Sequence, residues 1–151
     1  MLLEQLIERI NKFNRDEKCE DFEITEFFDK IGDEVPDSKE LNKQEKIDLI
    51  TALFNYQKRQ DQDSAIDWSF LHLIEGIDEA DLNIYEPLLI ATFAQFVNST
   101  TILLLNRLMN AIEGEKRLKY IEILRTIVSD TNVSKWVREE AKDTLEFQMS
   151  D

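Results

Sequence analysis

The stretch Thr101-Ile-Leu-Leu-Leu-Asn-Arg-Leu-Met-Asn-Ala-Ile-Glu113 is apolar around most of a helical circumference. A helix that is apolar on nearly every side is buried inside a domain rather than lying on its surface. Gly114 follows directly, and glycine is common just after the end of a helix. The stretch therefore predicts a central helix around which the rest of the domain packs.

Apolar residues recur at helical spacing on both sides of this stretch and predict about seven further helices. The chain has only three glycines and two prolines, against about 11 and 8 from average usage. Such a composition favours long helices over a sheet with many turns. We therefore predict a single all-α domain over residues 1–151, with predicted helix caps at Ser38, Ser64 and Ser134 and predicted helix ends at Gly32, Gly76 and Gly114.

Two arrangements fit eight helices with short connections. HEAT-like antiparallel helix pairs could stack into a short α-solenoid, or the helices could close into a compact helical bundle. No exact repeat is visible in the sequence, so both arrangements stay open at this point.

Charge is distributed unevenly along the chain. The sequence has 18 basic and 32 acidic residues and a net charge of −14. No lysine or arginine occurs between Arg59 and Arg107. We call residues 60–106 the acidic window, and its carboxylates are Asp61, Asp63, Asp67, Glu75, Asp78, Glu79, Asp81 and Glu86. A field of one sign attracts a basic protein partner and repels nucleic acid.

The second half of the chain resembles a known family. The stretch Asp67-Trp-Ser-Phe-Leu-His-Leu-Ile-Glu75 is similar to a D-W-x-x-x-H-x-x-E helix of all-α, HEAT-like immunity proteins from bacterial polymorphic and contact-dependent toxin systems. The stretch Leu104–Asn110 is similar to a later part of the same proteins, and Val137–Ala141 looks like the second helix of a HEAT repeat. The resemblance covers residues 67–145. It implies a protein that binds one cognate toxin and blocks its activity.

The resemblance and the charge together lead to a functional prediction. We expect a cytoplasmic, non-enzymatic immunity protein that binds a basic toxin domain, such as a nuclease domain, through an exposed acidic surface. The predicted contact residues are the eight carboxylates of the acidic window together with Tyr56 and Tyr85 as exposed aromatic anchors. A helical-repeat adaptor unrelated to toxins is the alternative, and an enzyme that binds metal through its carboxylates is a third hypothesis.

Catalytic and metal-binding patterns are weak. Asp61-Gln62-Asp63 begins like a calcium-binding loop, but Ala65 and Ile66 stand where a ligand and a glycine are required. His72 is the sole histidine and is predicted to be packed or capping rather than catalytic. The lone Cys19 cannot form an internal disulfide, as expected in a reducing cytoplasm. We predict no metal, no cofactor, no nucleic acid and no membrane partner.

Polar residues interrupt the central helix at three positions. Asn106 and Asn110 are four residues apart and share a face, Arg107 is rotated from them by about 100°, and a structural ion pair of Arg107 is favoured over a ligand or partner contact. Arg107 on so apolar a helix is expected to be ion-paired, with Asp67 or Glu75 as its predicted partners.

Overall fold

The computed structural model describes residues 2–13, 20–79 and 84–150. Within these residues the chain forms α-helices and one short 3-10 helix, and no strand. The all-α class predicted from the sequence is confirmed. The 3-10 helix is Ser38–Glu40, and the α-helices are α1 Leu2–Lys12, α2 Asp21–Glu34, α3 Lys43–Lys58, α4 Trp68–Asp78, α5 Tyr85–Phe93, α6 Ser99–Met109, α7 Glu115–Ser129 and α8 Lys135–Met149.

The contacts group the chain into two compact units. The first unit is Met1–Gln60 with Asp67–Ile90, and the second unit is Asp61–Ile66 with Ala91–Asp151. In the first unit α1 packs chiefly on α3 and α2 on α4, whereas in the second unit α7 and α8 pack on each other. This packing is consistent with a helical bundle. The HEAT-like pairing and the single domain over residues 1–151 stay predictions.

An aromatic cluster forms much of the core of the first unit. Phe28 is its centre, with its ring centroid 4.8 Å from that of Tyr56 and 5.5 Å from that of Phe70. Phe13 and Phe27 stack on each other at 3.8 Å and meet the edge of the same cluster. The cluster joins α2, α3 and α4, because each of these helices contributes one of the central rings. It therefore fixes α2 beside α4.

The core of the second unit is built around α6. Nearly all of this helix is buried, as the sequence predicts for a central helix. Asn98 caps it, since the Asn98 side chain accepts from the Thr101 N–H and the Thr101 hydroxyl accepts from the Asn98 N–H. Arg107 is an exception because it is exposed. Its predicted ion pair with Asp67 or Glu75 stays a prediction.

One amide group links the end of α8 to α6. The side-chain N–H₂ of Gln148, which is buried, lies 2.6 Å from Asn106 Oδ1 and 2.9 Å from Asn110 Oδ1. Arg117 completes the junction by donating to the Met109 and Gln148 carbonyls. Asn106 and Asn110 therefore have a structural role at this junction.

Several predicted helix boundaries are wrong. Gly32 and Gly76 do not end helices, because α2 continues to Glu34 and α4 to Asp78. Ser38 and Ser64 are not the caps of α3 and α4. Asn42 caps α3 in a capping box with Glu45, and Asp67 caps α4 by accepting from the Phe70 N–H at 3.1 Å. Ser134 caps α8 as predicted.

Among the described helices, none combines enough length with enough apolar character to cross a membrane.

Candidate functional site

The acidic window does not form a continuous exposed surface, which corrects the expectation from the sequence. Asp61, Asp63 and Glu79 are exposed, Asp67 and Glu75 are partly buried, and Asp78 and Glu86 are buried. Asp81 lies outside the described residues. Asp78 is buried because α4 is a short apolar helix that packs into its unit, and the last turn of this helix is buried at both Ile77 and Asp78.

The two tyrosines proposed as exposed anchors are buried. Tyr56 and Tyr85 are each 1% exposed. Tyr56 belongs to the aromatic cluster around Phe28, where its ring packs against three phenylalanine rings at 4.8, 5.6 and 6.2 Å. The prediction that these side chains lie exposed in an acidic rim is therefore wrong.

Asp61 and Asp63 contribute to local structure in the second unit. The Ser134 hydroxyl donates to Asp63 Oδ1 at 2.6 Å, and the Ser134 N–H donates to Gln62 Oε1 at 2.9 Å. Asp61 Oδ1 accepts from the Asp63 N–H at 3.2 Å. These bonds hold residues 61–63 against the start of α8. The role of Asp61 and Asp63 in partner binding stays a prediction.

The first unit contains an open groove between α2 and α4, which we call the α2–α4 groove. Its volume is about 690 Å³. The 3-10 helix closes one end, where the buried Ser38 hydroxyl donates to the Ile77 carbonyl at 3.1 Å. The residues that line it are Asp29, Gly32, Asp33, Val35, Pro36, Asp37, Ser38, Ser69, His72, Leu73, Gly76, Ile77 and Glu79.

Two of the three glycines of the chain lie on the wall of this groove. Gly32 and Gly76 are inside helices, where glycine costs about 1 kcal/mol relative to alanine. Neither is required by packing. A Cβ atom at Gly76 would meet nothing within 4 Å, and one at Gly32 would meet only Leu73 Cδ1 at 3.9 Å. The missing side chains keep the groove wide at some cost to helix stability.

The rim of the groove is acidic. Asp29, Asp33, Asp37 and Glu79 line it and are all exposed. No lysine or arginine is found among the described residues that line it. α2 contributes most to this charge, because its 14 residues hold six carboxylates and one lysine. Since little in the lining neutralises these charges, the groove is a site of negative potential.

Glu79 occupies its position on the rim at some conformational cost. It ends α4 in the left-handed region with φ 53°, where its N–H donates to the Glu75 carbonyl at 2.9 Å. The left-handed backbone conformation costs a residue other than glycine about 1–2 kcal/mol of conformational free energy. Strained backbone of this kind is often found at functional sites.

Asp67 lies at the start of α4 and is subject to the charges of α2. The pKa of Asp67 is raised to about 6, chiefly by burial; the hydrogen bond from the Phe70 N–H lowers it, and the carboxylates of Asp29 and Asp21 add to the rise. Asp67 is therefore held in a place that disfavours its negative charge. A cation beside Asp67 would relieve that cost.

Replacement of Asp67 by asparagine should remove this cost while keeping the cap of α4. Because the folded pKa is above the unfolded value of about 3.9, the folded state binds more protons between pH 4 and 6, and stability falls as pH rises through this range. We expect Asp67→Asn to raise the free energy of unfolding at pH 7.5 by about 1–2 kcal/mol, and to change it little at pH 4. Urea unfolding of the parent protein and the variant at both pH values measures the change in the free energy of unfolding.

Asn42→Ser is the matched control for this prediction. It exchanges one neutral cap for another at the exposed start of α3 and should leave the slope of stability against pH unchanged. If Asp67→Asn and the parent protein have the same slope of unfolding free energy against pH, Asp67 does not cause the fall in stability between pH 4 and 6.

An aromatic surface lies at the start of α4. Trp68 is 51% exposed, and its ring centroid is 6.2 Å from that of His72, with the two planes tilted by 33°. His72 is exposed and lines the groove, so it is not the packed histidine that the sequence predicted. Trp68, His72 and Glu75 share a face of α4 because they are spaced by four and three residues.

Sequence reasoning missed the part of the site that α2 provides. Asp29 and Asp33 lie before the acidic window, yet they form the rim beside Glu79. The sequence does contain a pattern that places the acidic residues of α2 on one face. Spacings of four, three and four residues separate Phe22, Glu26, Asp29 and Asp33. The pairing of α2 with α4 is a tertiary contact that such spacing does not reveal.

The arrangement is suited to binding cationic groups. Acceptors on an exposed rim above an apolar floor can hold cationic side chains together with their aliphatic stems. Among the described residues, no group of three or more histidine, cysteine, aspartate or glutamate side chains is placed to hold a metal ion. Comparison with models of protein families, with curated proteins and with solved structures finds no match.

Proposed function

We propose that this protein is an immunity-type inhibitor that binds one basic toxin domain through the α2–α4 groove and performs no reaction itself. The observation that supports this most is the charge of the groove. Its rim has carboxylates from α2, from the loop after α2 and from the end of α4, and its described lining has no basic residue.

The size and lining of the groove are compatible with a side chain inserted by a protein partner. A volume of about 690 Å³ is within the range of about 300–1,000 Å³ that holds a small ligand or a few side chains. Val35, Leu73 and Ile77 give it an apolar floor. A loop or helix of the toxin can therefore insert a lysine or arginine side chain, with its stem on the floor and its charge at the rim.

Electrostatics would act on both steps of such binding. The negative field around the groove speeds encounter with a basic surface. Ion pairs that are enclosed after docking slow dissociation. Both effects suit an inhibitor that must capture a toxin before the toxin reaches its target.

The sequence resemblance points to the same surface. The stretch Asp67–Glu75, which resembles a helix of immunity proteins, forms the start and middle of α4 and places Trp68, His72 and Glu75 on one face. This face adjoins the groove through His72. The HEAT-like identity and the bacterial origin belong to the proposal.

An adaptor that holds a basic peptide is the second candidate. The same groove favours it, since a peptide with lysine or arginine residues would meet the same rim. The two candidates differ in their genetic context, because an immunity protein is encoded beside its toxin and an adaptor need not be.

Co-expression with the product of the neighbouring gene tests the proposal. We expect that product to be basic and toxic alone, and to form a one-to-one complex with this protein that restores growth. Growth inhibition that this protein does not relieve, together with no complex on size-exclusion chromatography, would refute an immunity role.

Gly76→Leu tests the groove itself in the same assay. The added side chain enters open space, and leucine favours the helix by about 1 kcal/mol over glycine, so stability should hold or rise. We expect the complex to be lost because the groove is filled. Ala91→Leu, at an exposed position of α5, adds the same kind of side chain elsewhere and should leave the complex intact. A complex of Gly76→Leu with parental affinity would place the contact away from the groove.

A further inference from the structure

The start of α4 combines an exposed aromatic ring with carboxylates. Trp68 is the first residue of the helix and Asp67 is its cap, so the indole and the carboxylate are adjacent in the chain. Asp29, which lines the groove, acts electrostatically on Asp67, as does Asp21. The aromatic surface continues into the groove through His72, which lies against Trp68 and also lines the groove. We call this region the head of the groove.

Trp68 is 51% exposed, so much of its indole is accessible to a ligand. The indole face offers a negative quadrupole to a cation. The carboxylates nearby offer hydrogen-bond acceptors, and several of them lie within range of one another's charge. A single ligand that uses both features must be flat, cationic and rich in N–H donors.

We propose that the head of the groove binds an arginine side chain of the basic partner, with the guanidinium stacked on Trp68 and its N–H groups donating to the carboxylates of Asp29 and Asp67. This inference rests on the proposed function, since it names the side chain that the partner inserts. A guanidinium is planar, stacks on aromatic rings and is weakly hydrated. A lysine ammonium is strongly hydrated and cannot donate in two parallel bonds to a carboxylate.

A hard metal ion fits the head of the groove less well. Calcium and magnesium need six or more oxygen ligands around one point, and an indole supplies none. No metal-binding cluster occurs among the described residues. An organic cation, unlike a metal ion, uses the aromatic half of the site as well as its carboxylates.

Two peptides that differ only in having arginine or lysine at each basic position test this inference. The chain has two tryptophans, so a Trp136→Phe background leaves Trp68 as the fluorescent reporter. We expect the arginine peptide to bind about fivefold more tightly than the lysine peptide, and to change Trp68 emission. Fluorescence titration gives both affinities.

Trp68→Leu should abolish the difference between the peptides and leave the affinity of the lysine peptide within about twofold. These titrations use calorimetry, because the reporter is removed. Trp136→Leu is the matched control, since Trp136 is 60% exposed near the start of α8 in the second unit, and it should retain the parental preference.

Equal affinities of the two peptides for the parent protein would overturn the inference, as would an arginine preference that survives Trp68→Leu. Failure of both peptides to bind would overturn it as well. If any of these results occurs while the neighbouring gene product still forms its complex, the arginine site is wrong and the immunity function stands. If that complex also fails to form, the proposed function is wrong too.

Discussion

The double variant Asp29→Lys/Asp33→Lys should bind the basic partner at least about 100-fold more weakly than the parent protein. Both side chains are exposed on the rim of the α2–α4 groove, so the folded structure should tolerate the change. The variant places two positive charges where the partner inserts its own. Titration calorimetry of the purified complex measures the affinity, and the loss should be larger in low salt than in high salt.

Asp143→Lys/Glu146→Lys is the matched control for this result. It changes the net charge of the chain by the same amount, at two exposed positions of α8 in the second unit. We expect a change in affinity of less than about fivefold, because the carboxylates of the groove itself are unchanged in this variant. An equal loss in both double variants would mean that only the total charge matters and that the groove is not the contact.

Phe28→Ala should lower the free energy of unfolding by about 3–5 kcal/mol, which is the usual cost of removing a fully buried phenylalanine. Phe28 is 1% exposed and lies in contact with rings from α2, α3 and α4. Its removal leaves a cavity at the junction that holds α2 beside α4. Denaturation in urea followed by circular dichroism measures the loss.

Phe22→Ala is the control on the same helix. Phe22 is 61% exposed, so its removal should cost less than about 0.5 kcal/mol. A cost for Phe28→Ala no larger than that for Phe22→Ala would contradict the packing around the aromatic cluster. It would also remove the reason for treating the α2–α4 groove as a fixed feature of the molecule.

Local chemistry predicted much of the fold. The apolar run at 101–113 predicted the buried helix α6, although the helix begins earlier, at Ser99, and ends at Met109. Serine at position 134 predicted the start of α8, and the apolar spacing after Gly114 predicted α7 over Glu115–Ser129. These features depend on residues within one or two turns of each other, and such short-range signals can be seen in a sequence.

Glycine and serine misled the prediction at other boundaries. Gly32 and Gly76 were interpreted as helix ends, but each lies within a helix that continues for two further residues. Ser38 and Ser64 offered a capping hydroxyl, but Asn42 and Asp67 supply the caps of α3 and α4. Because several polar residues in one connection can all cap a helix, packing of the following apolar face decides between them.

Only the part of the candidate site that lies on α4 was predicted from the sequence. Glu79 and the stretch from Asp67 to Glu75 were singled out from sequence, but the acidic window was treated as one surface. Side chains that are close in sequence were separated by burial, as Asp78 and Glu79 show, with the first buried and the second exposed. The groove depends on α2 packing beside α4, and that contact is set by the aromatic cluster rather than by charge.

The most direct test of groove binding is a footprint on backbone amides by nuclear magnetic resonance during titration with the basic partner. Chemical-shift changes should concentrate in residues 21–38 and 67–79, which form the walls and the head of the groove. The amides of α7 and α8 should change little. Changes confined to α7 and α8, with those around the groove unaffected, would contradict binding through the α2–α4 groove.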